Sequence, residues 1–454
     1  MVFETPEESQ TAGAERGPVL HIEDGRGTVY PILTLPTETT AEIFMHCLPD
    51  VPSLPRIDTA PLLLGRICSK WRIISLTTPQ LWSSLTFRNH TLGLPVHTVV
   101  ELIETWLARA RTCPLFLRVV VHPPRWGEQF FDILKRHSHT WRDVEFDIPF
   151  EQLERFGRDL PLPMLERLAI HVASRLSSNP VEAFQAAPAL RHLHLLDAAS
   201  ALVVAFPWAQ LASLAIKRGA SHHCLSILSL TPNLVDCTLT TYFQREQPLL
   251  DVVVPLLDSL HISCRGELDI LNHISAPALK VLNLEHFFRG PGLLPLYRFA
   301  SQPGCRLREL TIRAFDYDAA ALTAVLETQS ALEKLELWGA RHDLLSVISR
   351  RLGNVDLPFL PRIVYFGAKT CLARIDLDLV EYRSMIEGML DALVGALSAR
   401  LGAPREFITL IKYFRITCGP DISKDFSHLL DAFQPQFEEL AAKGTNIDIE
   451  IIQE

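Results

Sequence analysis

Apolar and polar positions along this chain follow two periods, and the change from one to the other marks its organisation. Residues 1–30 show neither period and read as a loose, polar N-terminal tail. Order begins at Tyr30-Pro31-Ile32-Leu33-Thr34-Leu35-Pro36, where Pro36 at a first helical position and Glu38 in the first turn predict a helix start. Ile43/Cys47 and Phe44/Leu48 give it an i,i+4 stripe, and Pro49 stops it. Prolines at 49, 52, 55 and 61 make the next stretch a connector. A second helical pattern carries Leu64/Cys68/Trp71, with Ile67/Ile74 beside it, and runs out at Thr77-Thr78-Pro79 before the apolar pair Leu81-Trp82. A further apolar helix passes through Leu102, Ile103, Trp106, Leu107 and Ala110, and Pro114 breaks it. From Leu115 the period drops to two, with Leu117, Val119 and Val121 alternating as a strand.

The rest of the chain repeats itself. Eight segments read Leu-x-x-Leu-x-Leu/Ile with one substitution, from Leu165/Leu168/Ile170 to Leu332/Leu335/Leu337. Their middle positions are 25, 21, 23, 23, 22, 28 and 25 residues apart. Trp141/Val144/Phe146 and Leu360/Ile363/Tyr365 read as degenerate flanking copies. The physics is that of a leucine-rich repeat: one short strand per unit turns its leucines inward, and stacked neighbours bury what no unit buries alone. The asparagine or cysteine expected three residues after the last leucine is absent, its places held by Ala173, Ala198, Gly219, Tyr242, Arg265, Phe287, Phe315 and Ala340. The expected result is an irregular solenoid over 141–374. Residues 375–454, with a helix through Ile386, Met389, Leu393 and Leu397 and a strand at Ile447/Ile449/Ile451, read as its cap.

Composition narrows the function classes. Leu is 72 of 454 residues, about 16%, while Gly is only 21, so glycine-rich phosphate loops are scarce. The formal charge is −9 with no block of Lys and Arg, so neither a nucleic-acid nor an anionic-membrane partner is expected. Nine scattered cysteines without Cys-x-x-Cys fit free thiols in a reducing compartment. Met1–Gln10 has no apolar core of a signal peptide. The longest uncharged stretch, Ala198–Ile216, is interrupted by Pro207 and Gln210 and does not read as a membrane span. The expected location is cytoplasmic or nuclear.

Catalytic and metal motifs are absent: no His-Glu-x-x-His, Walker loop, Gly-x-Ser-x-Gly or Gly-x-Gly-x-x-Gly occurs. The pairs His137/His139, His192/His194 and His222/His223 lack a carboxylate or Cys at matching spacing, so no metal and no cofactor is expected, and the chain does not read as an enzyme. The positions between the leucines instead predict a binding face of mixed charge. Its candidate contacts are Arg167, His171, His192, His194, Arg313, Trp338 and Arg362.

Residues 30–49, with Leu35-Pro36, Glu42-Ile43-Phe44 and Cys47-Leu48-Pro49, resemble the opening of an F-box. Its closing half is similar to Leu64-Gly65-Arg66-Ile67-Cys68-Ser69-Lys70-Trp71-Arg72 followed by Thr78-Pro79-Gln80-Leu81-Trp82. The wider layout, with Trp106-Leu107 before Cys113-Pro114-Leu115, is similar to the large F-box family of fungi. The resemblance implies a small three-helix module at 31–88 that docks on a Skp-type linker protein and through it on a cullin. It implies a linker helix and first strand at 89–140, and a C-terminal domain that selects a protein substrate. On that analogy Leu35, Pro36, Ile43 and Leu48 face the linker, while Trp71, Cys68 and Ile67 form the module's own core. The fold class expected is therefore α+β or α/β repeat, a three-helix F-box-like module followed by an irregular leucine-rich-repeat solenoid. The function expected is substrate recognition for a ubiquitin ligase, the alternative being a protein-binding scaffold with no role in ubiquitin transfer.

Overall fold

The computed structural model describes residues 31–49, 54–88, 96–121, 128–171, 180–242, 248–265, 268–286, 293–313, 319–340, 342–370, 379–404, 408–418 and 423–451. The expected tail at 1–30 lies outside them, as do Ala173, Phe287 and Phe315. Helices α1 (Thr37–His46), α2 (Leu64–Ile67) and α3 (Ser69–Thr77) precede the first strand. Strands β1 (Ser84–Arg88), β2 (Leu115–Val120), β3 (Trp141–Asp147), β4 (Arg167–Ile170), β5 (His192–Leu195), β6 (Ser213–Ala220) and β7 (Asp236–Tyr242) follow. After the short β8 (Val252–Val253) comes β9 (Ser259–Arg265), and after the short β10 (Ile274–Ser275) come β11 (Val281–His286), β12 (Glu309–Arg313) and β13 (Lys334–Ala340). The last strands are β14 (Tyr365–Thr370), β15 (Tyr413–Cys418) and β16 (Asn446–Ile451).

Apart from β8 and β10, which pair with each other, these strands form one 14-stranded sheet in the order of the sequence. Every neighbouring pair in it is parallel. Parallel neighbours need a crossover to return the chain, and helices supply many of them. They include α4 (Val96–Ala110), α5 (Glu128–Arg136), α6 (Phe150–Leu153), α7 (Ala198–Ala201), α8 (Ser221–Ser229) and α9 (Leu294–Ala300). Further along come α10 (Ala319–Glu327), α11 (His342–Leu352), α12 (Leu379–Gly402) and α13 (Ser423–Ala442). None of the described helices is long and apolar enough to cross a membrane.

This is an α/β fold, and it corrects the expected three-helix module followed by an irregular leucine-rich-repeat solenoid. Two findings overturn that reading. The sheet is continuous from Ser84 to Ile451, so β1 and β2 ahead of the leucine-spaced segments and β15 and β16 behind them belong to the same layer. Among its described residues, the N-terminal segment has two longer α-helices, α1 and α3, and a single α-turn at α2. Its middle element, α2, has four residues and ends where Cys68 turns extended at φ −154° and ψ 170°. Pro61, three residues ahead of α2, has no amide to donate to a longer helix.

One face of the sheet is core and the other is open. Leu168, Leu193, Leu214, Cys237, Leu260, Leu282, Leu310 and Leu335 are all buried, and the register aligns them in one row. The alternate residues stay exposed or half-buried in most strands, as in β4, β5 and β7. Parallel sheets are usually covered on both faces and read as unbroken apolar runs. Here, among the described residues, the strands alternate buried positions with exposed or half-buried ones.

Two hydrogen-bond systems join successive strands at their entry edge. The carbonyl of Glu166 accepts from the amides of both Arg191 and His192, that of Arg191 from Ala212 and Ser213, and so on through Lys280, Arg308 and Glu333 to Val364. Side-chain amides bridge neighbouring turns as well. Gln210 donates to the carbonyls of Ala187 and Leu190 at 2.6 and 3.0 Å, and Asn233 to that of Ala209 at 2.7 Å. The buried Gln329 donates to Ala300 at 2.8 Å and accepts from the Leu307 amide at 3.0 Å. The amide ladder that the sequence lacks after each strand is thus replaced, in part, by one ahead of it.

Candidate functional site

The first candidate surface is the N-terminal helical segment. Phe44 of α1 is buried and meets Trp71 of α3 edge to face, with ring centroids 5.0 Å apart. Lys70 donates to the carbonyls of Leu33 and Leu35, the latter at 3.2 Å, and so ties the entry segment to α3. Cys68 caps α3, its sulfur accepting from the Trp71 amide at 3.4 Å. Of the residues the resemblance places toward a linker, Pro36 and Ile43 are exposed, Leu35 is half-buried, and Leu48 is half-buried against the core. Ile67, expected in the module's own core, is 53% exposed. Ile73 at 64%, Leu63 and Leu76 are exposed as well, so several large aliphatics face solvent on a segment of under fifty residues.

The second surface is the open face of the sheet. Arg167 in β4 stands opposite His192 in β5, and Arg167 pairs loosely with Asp143 of β3 at 3.6 Å. Just past β4, the His171 ring lies edge-on to His194, centroids 5.1 Å apart, with its Nδ1 3.5 Å from Glu145. Glu145 also takes Arg118 of β2 at 3.0 Å. Further along, Arg313 of β12 stands opposite Trp338 of β13, its guanidinium 3.9 Å from the indole centroid and 2.8 Å from Glu285 of β11. Trp338 is 36% exposed, and the Lys369 ammonium of β14 lies 5.2 Å from the centroid of its ring. Gly339, at φ +79°, follows it where the pairing slips by one residue, a backbone conformation that a side chain resists. The structure therefore gathers the expected residues into two groups. Seven strand steps separate β5 from β12 by chain order, but only five by sheet order, or about 24 Å.

Arg362 joins neither group. The sequence copy Leu360/Ile363/Tyr365 sets the register three residues early. Tyr365, not Arg362, stands opposite Lys334, and Ile363, Phe366 and Ala368 are the buried positions. Arg362 lies in the turn ahead of β14, at the entry edge of the sheet. The same shift brings Tyr365 onto the open face, where Lys334 approaches its ring at 5.4 Å and Tyr413 of β15 at 6.5 Å. Sequence reasoning missed Tyr365, Lys369 and Tyr413. The signal was present in Ile363-Val364-Tyr365-Phe366, where only the second alternation keeps Lys369 outward.

Burial holds the His194 imidazole at about 4, well below its ordinary value, with Lys217 and His171 adding to the effect. His171 is lowered for the same first reason, against the opposing pull of Glu145. A histidine whose folded value lies below its unfolded one leaves the unfolded chain holding more protons between the two. Stability is accordingly expected to be full above about pH 6.5 and to fall as pH drops toward about 4. His194→Gln should flatten that slope in denaturant titrations across the window, and an unchanged slope would count against the assignment. Among the described residues, no group of three His, Cys, Asp or Glu side chains is placed to hold a metal ion.

Both surfaces are made of exposed or half-buried side chains. Both have the composition of protein contacts: exposed aliphatics on one, and aromatic rings with Arg and Lys on the other. No protein-family model matches this chain, and no curated protein matches it either.

Proposed function

We propose that this chain is a substrate-recognition adaptor of a Skp–cullin–F-box type ubiquitin ligase, working in the cytoplasm or nucleus. Residues 31–82 dock on the linker protein, and the open face of the sheet holds the protein to be modified. The observation that carries the reading is the set of exposed aliphatic side chains Ile43, Leu63, Ile67, Ile73 and Leu76 on the N-terminal segment. Five exposed large aliphatics on so small a unit are what a docking segment would present. The mechanism is proximity: holding target and ligase on one chain raises their effective concentration without a catalytic residue.

Co-expression with a Skp-type linker and size-exclusion chromatography test it. A 1:1 complex is expected, lost in an Ile43→Glu/Ile73→Glu variant whose circular dichroism matches wild type. Both residues are exposed, so the fold should tolerate the change. Absence of a complex with well-folded wild-type protein would end the proposal. A second reading, a binding scaffold without ubiquitin transfer, draws on the single turn that stands at α2. Linker binding without recovery of a cullin selects it.

A further inference from the structure

The entry edge of the sheet carries a cleft that belongs to neither proposed contact surface. It measures about 320 Å³ and is lined by Lys280, Arg306, Arg308, Glu333 and Arg362 among others. Four successive turns, those leading into β11, β12, β13 and β14, contribute these residues. Their approach is close. Gly304 takes φ +89°, and a side chain there would come within 3.2 Å of Pro277 in the turn before it. Gly304 thus lets the turn bearing Arg306 settle against its neighbour.

Charge is what sets this cleft apart. Along the same edge Arg142 pairs with Glu166 of the next turn at 3.0 Å, and Arg191 turns back on the carbonyls of Pro188 and Leu190. Inside the cleft, Lys280 pairs with Asp258, and Arg308 reaches Glu333 only at 3.9 Å. Arg306 and Arg362 make no side-chain hydrogen bond or ion pair with any described residue. Two guanidinium groups therefore stand uncompensated in one cleft of a chain whose net charge is −9. A guanidinium presents a planar fork of donors that matches phosphate oxygens two at a time.

We propose that this cleft binds a small anion carrying two or more phosphate groups, with Arg306 and Arg362 as its principal contacts. Size and surroundings fix the class. A volume near 320 Å³ suits a small ligand. A nucleic acid needs a continuous basic track, and the flanking edge instead mixes both signs, with Arg142, Glu166, Asp258 and Lys280. The proposal is independent of the adaptor reading, since no residue of the N-terminal segment or the open face lines the cleft.

Titration calorimetry of the full chain with sodium tripolyphosphate, at low salt and against a sulfate control of equal ionic strength, tests it. One saturable site is expected. Arg306→Gln/Arg362→Gln should weaken it by about tenfold or more, since charge-assisted hydrogen bonds contribute about that much each. Both side chains are exposed and unpaired, so folding should be unaffected. Glu333→Gln should tighten binding by removing the one anion in the lining. Arg142→Gln/Arg158→Gln removes equal charge outside the cleft and should change nothing. Absence of saturation overturns the proposal, and so does an equal loss in that control pair, which means diffuse attraction. Orthophosphate binding as tightly as tripolyphosphate overturns the requirement for two phosphate groups.

Discussion

Arg400→Met is expected to lower the stability of the chain by about 3 kcal/mol, measured by denaturant unfolding. Arg400 lies on α12 and is 3% exposed, yet no carboxylate faces it among the partners the structure records. Its guanidinium donates to three carbonyls instead: Leu352 at 2.9 Å, Phe359, and Leu360 at 3.1 Å. Leu352 is the last residue of α11, whose carbonyl end carries partial negative charge. Leu360 sits at φ +49°, which a leucine adopts only when its surroundings hold it there. One side chain of α12 therefore ties down both the end of α11 and the loop that follows it.

Removing that side chain strands the carbonyls of Leu352 and Phe359, each worth about 1–3 kcal/mol when left unpaired, while that of Leu360 keeps the Ile363 amide at 3.2 Å. Part of this is offset, because the charge itself is costly to bury; burial pulls its value down to about 10. Methionine keeps most of the stem, so the loss reports the guanidinium and not a cavity. Arg400→Lys should recover less than half, since a single ammonium does not span both partners. Limited proteolysis should find the 353–361 loop newly cleavable in the Met variant. A variant within 0.5 kcal/mol of wild type, with an equally resistant loop, would show that the three bonds contribute little.

Trp82→Ala should cost about 3–5 kcal/mol, the range for deleting a buried large aromatic. Trp82 is 2% exposed and stands between the N-terminal helices and the sheet. Its indole nitrogen donates to the Ser75 carbonyl of α3 at 2.8 Å, and its ring meets Trp106 of α4 edge to face at 4.8 Å. The Arg109 guanidinium lies 4.4 Å from the ring centroid. Three elements thus converge on one side chain, and its loss should release 31–77 from the rest before the sheet unfolds. Trp82→Phe, which keeps much of the area and gives up the hydrogen bond, should cost about 1–2 kcal/mol. Early proteolytic release of the N-terminal segment in the Ala variant is the decisive readout. A single unchanged transition in both variants would remove Trp82 as the joint.

The core leucines were legible because strict alternation with fixed spacing leaves one set of positions to bury. Arg362 was misplaced because Ile363 to Phe366 are apolar without a break, so two registers fit the same residues and only the neighbouring strand chooses between them. The reach of the sheet was hidden at both ends for a related reason. β1, β2, β15 and β16 lack the leucine spacing, and their membership comes from pairing, which no local pattern encodes. The pairing of Arg313 with Trp338 was implicit in the repeat spacing, whereas Lys369 and Tyr413 fell where that spacing ends. Arg400 was readable and passed over. It follows Ile386, Leu390, Leu393 and Leu397 on the apolar stripe of α12, a place where a lone arginine needs carbonyls to bond.

Strand order that follows chain order has a consequence for how this sheet comes together and apart. Most strands meet a partner some 20–30 residues away in sequence and none spans the whole chain, so the loops that must close are short for a protein of this length. A pull applied at the two ends would meet the pairs one after another, each edge strand peeling from a sheet whose remainder is still intact. The molecule behaves, in that sense, less like a knot than like a zip fastener, with β1 and β16 as its two open ends.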